Sequence, residues 1–143
     1  MRFMMQVRAN AKSESGVMPS KELIAAMGKY NEEMIKAGVM LAGDGLQPSA
    51  KGARISFAGG KPKVTQGPFP DPKELISGFW MIQVKSKEEA IDWATRVPFK
   101  DGEVIELRQV FETADFPAEI LPPEEAARED AQREILQKKA GKP

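Results

Sequence analysis

Between Gly67 and Pro72 the chain runs Gly-Pro-Phe-Pro-Asp-Pro, and neither a helix nor a central strand can pass through such a segment. Pro68, Pro70 and Pro72 each lack a backbone donor, and each biases the residue before it away from the helical region. The segment from Gln66 to Glu74 is therefore a stiff connection, and the regular structure on its two sides must be read separately.

On the N-terminal side, Met4 to Arg8 is rich in β-formers and reads as an opening strand. Asn10 to Gly16 is polar and small, as a loop requires. Ser20 is placed to cap a helix running to Ala37, on which Leu23, Met27, Tyr30 and Met34 recur at the spacing of one helical face. Gly38 stands where a left-handed residue ends such a helix. Val39 to Ala42 is short and apolar, the pattern of a second strand, and Gly43-Asp44-Gly45 is expected to turn. Arg54–Phe57 and Pro62–Gln66 then flank Ala58-Gly59-Gly60-Lys61, the pattern of a β-hairpin.

On the C-terminal side, Gly78 to Lys85 has the composition of a strand buried on both faces. Ser86 and Glu89 have the spacing of a capping box. The helix they open carries Ala90, Ile91, Ala94 and Val97 on one side and stops at Pro98. Asp101-Gly102 turns, and Glu103 to Phe111 forms a last strand. Its alternation puts Ile105, Leu107, Gln109 and Phe111 on one face and Val104, Glu106, Arg108 and Val110 on the other. Without the hairpin the order is β-α-β-β-α-β, a ferredoxin-like α+β fold with an antiparallel sheet and helices on one face. Pro122-Pro123 introduces a further helix, Glu124 to Lys139, acidic at its start and basic at its end as the helix dipole favours. Its few apolar residues suit either docking on a partner subunit or solvation. The expected division is a domain over residues 1–112 and an extension over 113–143.

Composition removes several chemistries. The 143 residues include no cysteine and no histidine. That excludes disulfides, thiolate nucleophiles, imidazole acid–base catalysis and thiolate- or imidazole-bound metals. Acid–base work would fall to Asp, Glu, Lys or Tyr30, and a hard cation could be held only by oxygen ligands. No cofactor is expected. Lys plus Arg and Asp plus Glu are both 21, so the formal net charge is zero. Nucleic acid, which rewards a positive excess, is not an expected partner. The opening Met1–Arg8 is broken by Gln6 and Arg8, unlike a signal peptide, and no apolar run is long enough to span a membrane. The expectation is a cytoplasmic protein.

Taken together, Gly67-Pro68-Phe69, Lys73-Glu74, Gly78-Phe79, Glu89-Ala90-Ile91-Asp92-Trp93-Ala94 and Glu106-Leu107-Arg108-Gln109-Val110 resemble, in order and spacing, the YCII-related family and in particular its DGPF-motif branch. Ala37 to Leu46 is similar to the family's A-G-x-L-x-x-G-x-x-L stretch. The resemblance covers residues 2–112. It departs at Gln66, where the branch carries Asp, and at Gln109, where proline is usual. The histidine that some members carry on the first helix has no counterpart. The resemblance implies a dimeric α+β barrel in which two sheets face each other. Biochemical function in this branch is largely unassigned, and some relatives are associated with alternative sigma factors, which implies a transcription component as a partner class.

In such a barrel Glu106 and Arg108 face the interior. Arg108 would hold a carboxylate or enolate oxygen, with Glu106 orienting it; the plain alternative is a self-satisfied ion pair. By the same alternation Met4 and Gln6, and Met81, would line the cavity, a mixture of thioethers and amides that suits a small apolar ligand. Gln66 and Phe69 would sit at its mouth, Gln66 donating and accepting hydrogen bonds but unable to act as an acid or base. Asp44 is the best placed carboxylate at a strand end. Three functions follow as expectations: a homodimeric small-molecule-binding or regulatory module; a cofactor-independent isomerase or oxygenase with Asp44 or Glu106 as base and Arg108 stabilising negative charge; or an interaction protein using the appended helix.

Overall fold

The structure is a computed structural model and describes residues 1–140. Strand β1 (Arg2–Arg8) sets the pattern for the sheet, because its residues alternate between full and partial burial. Phe3, Met5 and Val7 enter the core, while Arg2, Met4, Gln6 and Arg8 lie half-buried on the other face. A short helix α1 (Ala11–Glu14) follows, then α2 (Lys21–Lys36), β2 (Met40–Gly45), the pair β3 (Ala53–Ala58) and β4 (Lys61–Gln66), β5 (Ile76–Gln83), α3 (Lys87–Thr95), β6 (Ile105–Gln109) and α4 (Pro123–Ala140). Strands β2, β5, β1 and β6 lie in that order in one sheet, every neighbouring pair antiparallel. Strands β3 and β4 form a separate two-stranded ribbon. With the ribbon set aside, this is the expected α+β ferredoxin-like order.

Local chemistry explains the boundaries. The Ser20 hydroxyl accepts the Leu23 amide at 3.1 Å, and Gly38 ends α2 with φ of 71°. Gly59 and Gly60 have φ of 61° and 75°, the two consecutive positive values that a tight hairpin turn between right-twisted strands needs. Ser86 caps α3 by accepting the Glu89 amide at 3.1 Å. The Glu89 carboxylate reaches one residue further back than a capping box requires and takes the Lys85 amide at 2.8 Å.

Several expectations need correction. Gly43-Asp44-Gly45 is not a turn: β2 continues through it, pairing Gly43 with Trp80, Asp44 with Phe79 and Gly45 with Gly78. Gly43 is small because Trp80 lies over it; an added Cβ would sit 2.7 Å from Trp80 Cδ1. Asn10 to Gly16 is not all loop, since Asn10 and Ser13 form a reciprocal cap that closes α1. Strand β5 is buried on one face only, with Phe79 and Met81 half-buried on the other. Trp93, not Ile91, fills the buried side of α3. Strand β6 is shorter than read from sequence, and Phe111, beyond its end, is 69% exposed and stacks on Phe116 with ring centroids 5.1 Å apart.

All of the buried core lies on the helix-covered face of the sheet. Tyr30 on α2 stands edge-on to Trp80 of β5 at 5.6 Å and to Trp93 of α3 at 6.3 Å. Its hydroxyl donates to the Trp93 carbonyl at 2.8 Å, and Trp80 Nε1 donates to Asn31 Oδ1 at 2.8 Å. Met5, Met34 and Ile82, all fully buried, complete the centre. On the opposite side of the fold, Glu112 receives Arg2 at 2.9 Å and Arg133 at 3.0 Å, which ties α4 to the start of β1.

Burial pushes the Tyr30 hydroxyl up to about 12, against 10.0 for a free tyrosine, with Arg96 pulling the other way and Glu33 adding to the rise. The unfolded chain therefore loses this proton first as pH rises. The Tyr30 contribution to stability is complete below pH 10 and is lost as pH climbs towards about 12. Thermal unfolding followed from pH 8 upward should show Tm falling over that window. Tyr30→Phe should remove that part of the fall and cost about 1–2 kcal/mol at neutral pH, because the Trp93 carbonyl loses its donor.

Candidate functional site

The face of the sheet opposite α2 and α3 carries two cross-strand rows. Register places Asp44, Phe79, Gln6 and Glu106 in one row and Ala42, Met81, Met4 and Arg108 in the next. Met4, Gln6, Phe79 and Met81 occupy the two central strands and are half-buried. The Gln6 amide lies 3.5 Å from the Met4 sulfur. Charged residues stand at the two edges: Asp44 on β2, and Glu106 with Arg108 on β6. Arg108 Nη1 and Glu106 Oε2 are 3.5 Å apart, with side chains 69% and 43% exposed, so the pair is loose and open to solvent.

The sheet therefore brings together Met4, Gln6, Met81, Glu106 and Arg108, and adds Phe79, which had not been singled out as a site residue. It does not bring Asp44 to Arg108 within one subunit. With two strands between them and ~4.8 Å between neighbours, the edge strands are about 14 Å apart.

Gln66 and Phe69 belong to a different construction. Gln66 ends β4, pairs with Ala53 and is exposed. The Gly67–Pro68 peptide is cis. Directly behind it, the Glu14 carboxylate accepts both the amide (3.0 Å) and the hydroxyl of Ser49, and the Ser49 oxygen accepts the Phe69 amide at 3.0 Å. The Arg54 guanidinium lies over the Phe69 ring at 3.9 Å and reaches Glu74 at 3.6 Å. The turn is thus pinned from three directions by Glu14, Ser49 and Arg54, none of which stood out in the sequence. No local pattern links them, because residues 14, 49 and 69 meet only once the chain has folded.

Next to this turn, a half-open cleft of about 510 Å³ lies where β1 ends, lined by Arg8, Asn10, Asp71, Pro72, Lys73 and Val104 among others. Arg8 donates to the Lys73 carbonyl, and the Asp71 side chain accepts the Lys73 amide at 3.0 Å. Arg8 therefore holds the turn against β1, and Asp71 holds the turn's own backbone. Among the described residues no three carboxylates gather as a cation site, and no helix is long and apolar enough to cross a membrane.

An antiparallel four-stranded sheet covered on one side, open on the other and joined by a pinned Gly-Pro-Phe-Pro turn places the chain among the ferredoxin-like α+β domains. Residues 1–114 match the YCII-related domain, and the chain belongs to that family. It is similar to an uncharacterized protein of Rhizobium meliloti (strain 1021), 32% identical over 74 residues. That stretch covers 52% of this chain and 56% of the relative.

A Cβ at Gly67 would lie 1.7 Å from the Ser49 carbonyl oxygen, so the backbone of one segment would have to move. Gly67→Ala should cost about 3 kcal/mol, at the upper end of the range for overpacking, and urea titration should show the midpoint fall by the corresponding amount. A midpoint within error of the parent would show that the turn and the Ser49 segment are not packed as described.

Proposed function

We propose that this YCII-related protein is a homodimeric small-molecule-binding module with an accessory or regulatory role, and that the open sheet face is the floor of its ligand cavity. The observation that carries this reading is the half-buried cluster of Met4, Gln6, Phe79 and Met81 on the face opposite α2 and α3. Adaptable thioethers, one aromatic ring and one amide are what a pocket for a small, largely apolar molecule uses. Two such faces brought together about a two-fold axis would shelter that surface and close the cavity, each copy presenting the same patch to the other. Arg108, held only at 3.5 Å by Glu106, is the group that would take a ligand carboxylate or enolate oxygen. Phe69 and Gln66 would shape the approach, with the pinned turn setting their position.

The cofactor-independent enzyme needs a carboxylate base beside Arg108. Asp44 lies across the sheet from it, which leaves Glu106 as the one carboxylate of the pair in reach. Binding, with Arg108 as anchor, makes the smaller demand on this geometry.

Thermal shift against a library of small apolar carboxylates and enolisable compounds should find a stabilising ligand, by about 2.7 kcal/mol at a hundred-fold excess over Kd. Arg108→Ala should weaken that ligand about ten-fold or more, the loss of about 1.4 kcal/mol or more of charge-assisted hydrogen bonding. Light scattering should return twice the 15.8 kDa chain mass. A monomer that no compound stabilises would overturn the proposal.

A further inference from the structure

Six of the seven arginines hold a carboxylate. Arg2 and Arg133 share Glu112, while Arg54 takes Glu74, Arg96 takes Asp92, Arg108 takes Glu106 and Arg128 takes Glu125. Arg8 is the exception. It is half-buried, and among the described residues its guanidinium has one acceptor, the uncharged carbonyl of Lys73. That bond uses Nη2 and leaves the donors on Nε and Nη1 without a protein acceptor. A planar fork of donors, partly withdrawn from water and with no acid beside it, is the group that best matches a carboxylate.

The backbone fixes where that fork stands. The Arg8 amide donates to the Val104 carbonyl at 2.9 Å and the Ala9 amide to the Leu75 carbonyl at 3.0 Å, so the end of β1 is gripped from both sides. Met4 is level with Arg108, and Arg8 lies four residues further along β1. At ~3.4 Å per residue the backbones of Arg8 and Arg108 are about 14 Å apart, so the two arginines serve different places on the molecule.

The half-open cleft of about 510 Å³ at this end of β1 supplies the rest of a site. Lys73 stands on its lining, and the ammonium has no carboxylate partner among the described residues. What Lys73 does for the fold is done by its backbone: the carbonyl accepts Arg8, and the amide donates to Asp71 at 3.0 Å. Asp71 is the one carboxylate on the lining, so two cations there face a single acid. Glu103 is off the lining and is taken by Asn10 Nδ2 at 3.3 Å. Pro72 and Val104 form an apolar wall, and Val104 is 56% exposed with nothing of the chain laid over it.

We infer that this cleft is a binding site in its own right, for a small apolar molecule that carries one carboxylate. Arg8 holds the carboxylate, Lys73 adds attraction from the rim, and Pro72 with Val104 covers the apolar body. A volume of about 510 Å³ is ample for such a molecule, since small-molecule pockets run from about 300 to 1,000 Å³. Asp71 sets the selectivity, because a second negative charge on the ligand would meet it and be repelled. The site goes beyond the sheet-face cavity and does not depend on what that cavity binds.

Two-dimensional ¹H–¹⁵N NMR of the full chain, titrated with sodium phenylacetate, tests it. The amides of Arg8, Ala9, Lys73 and Val104 should shift together and saturably. Benzyl alcohol offers the apolar body without the charge, and inorganic phosphate the charge without the body; each should bind about ten-fold more weakly. Arg8→Gln should weaken phenylacetate about ten-fold. Because Arg8 also holds the turn, Lys73→Gln is the second variant: it keeps the backbone bonds, should leave Tm unchanged and should weaken binding about three-fold, as loss of an exposed charge does. Asp71→Asn keeps an oxygen for the Lys73 amide and should raise the affinity for succinate, a dianion, more than that for phenylacetate. No shift at these amides, phosphate or benzyl alcohol binding as well as phenylacetate, or Lys73→Gln and Asp71→Asn both binding as the parent does would overturn the site. Shifts confined to Met4, Gln6, Met81 and Arg108 would refute the cleft and leave the sheet-face cavity standing, whereas shifts confined to the cleft would support it without that cavity.

Discussion

One tyrosine decides which side of the sheet becomes the inside. Tyr30 joins α2 to α3 through the Trp93 carbonyl and to β5 through the edge of Trp80. Large aromatic side chains bury about 150–250 Å² each, which at ~25 cal/mol per Å² is about 4–6 kcal/mol gross per ring. The hydrogen bond adds about 1 kcal/mol. Burial therefore supplies the stabilisation, and the hydrogen bond supplies the position. With both helices fastened to the face that carries Phe3, Met5 and Ile82, neither α2 nor α3 covers Met4, Gln6, Phe79 and Met81. The open face is a consequence of where the aromatic residues fall in the sequence.

The parts of this fold that could be read from the sequence are those written in short-range chemistry. Ser20 and Gly38 bound α2, the paired glycines at 59 and 60 close the ribbon, and Ser86 starts α3, each because a local backbone group needs that residue type. Alternation on β1 and β6 also placed Met4, Gln6, Glu106 and Arg108 on one face correctly. Errors arose where a residue answers to a distant neighbour. Gly43 and Gly45 look like turn residues, yet Gly43 is required by Trp80, far along the chain. Phe111 continues the alternation of β6 on paper, but the strand has already ended and the ring turns to Phe116. The Glu14–Ser49–Phe69 connection left no sequence trace, because each of its members is an ordinary loop residue on its own.

The same distinction clarifies the proline turn. Its composition marks it as stiff, but stiffness alone does not fix where a loop points. Here the position comes from Glu14 and Ser49 behind the turn and Arg54 above it, and Gly67 is the one residue small enough to pass the Ser49 carbonyl. Gln66 takes no part in this anchoring, whose carboxylate is Glu14. Gln66 leaves the exposed end of β4 without a negative charge, in a ribbon whose charged residues are all basic.

That absence matters because the net charge of zero is a sum of separated parts. The ribbon region is purely cationic and the segment after β6 is strongly acidic, and each carries uncovered aromatic or branched residues. At physiological ionic strength a surface charge is felt over only about 8 Å, so two such patches at opposite corners of one sheet gain little from each other. An acid at position 66 would have put a charge on the ribbon's apolar face, opposite Ala53. With glutamine there, the face of Ala53, Ile55, Phe57, Pro62 and Val64 carries no charge, and Arg54, Lys61 and Lys63 all stand on the other face.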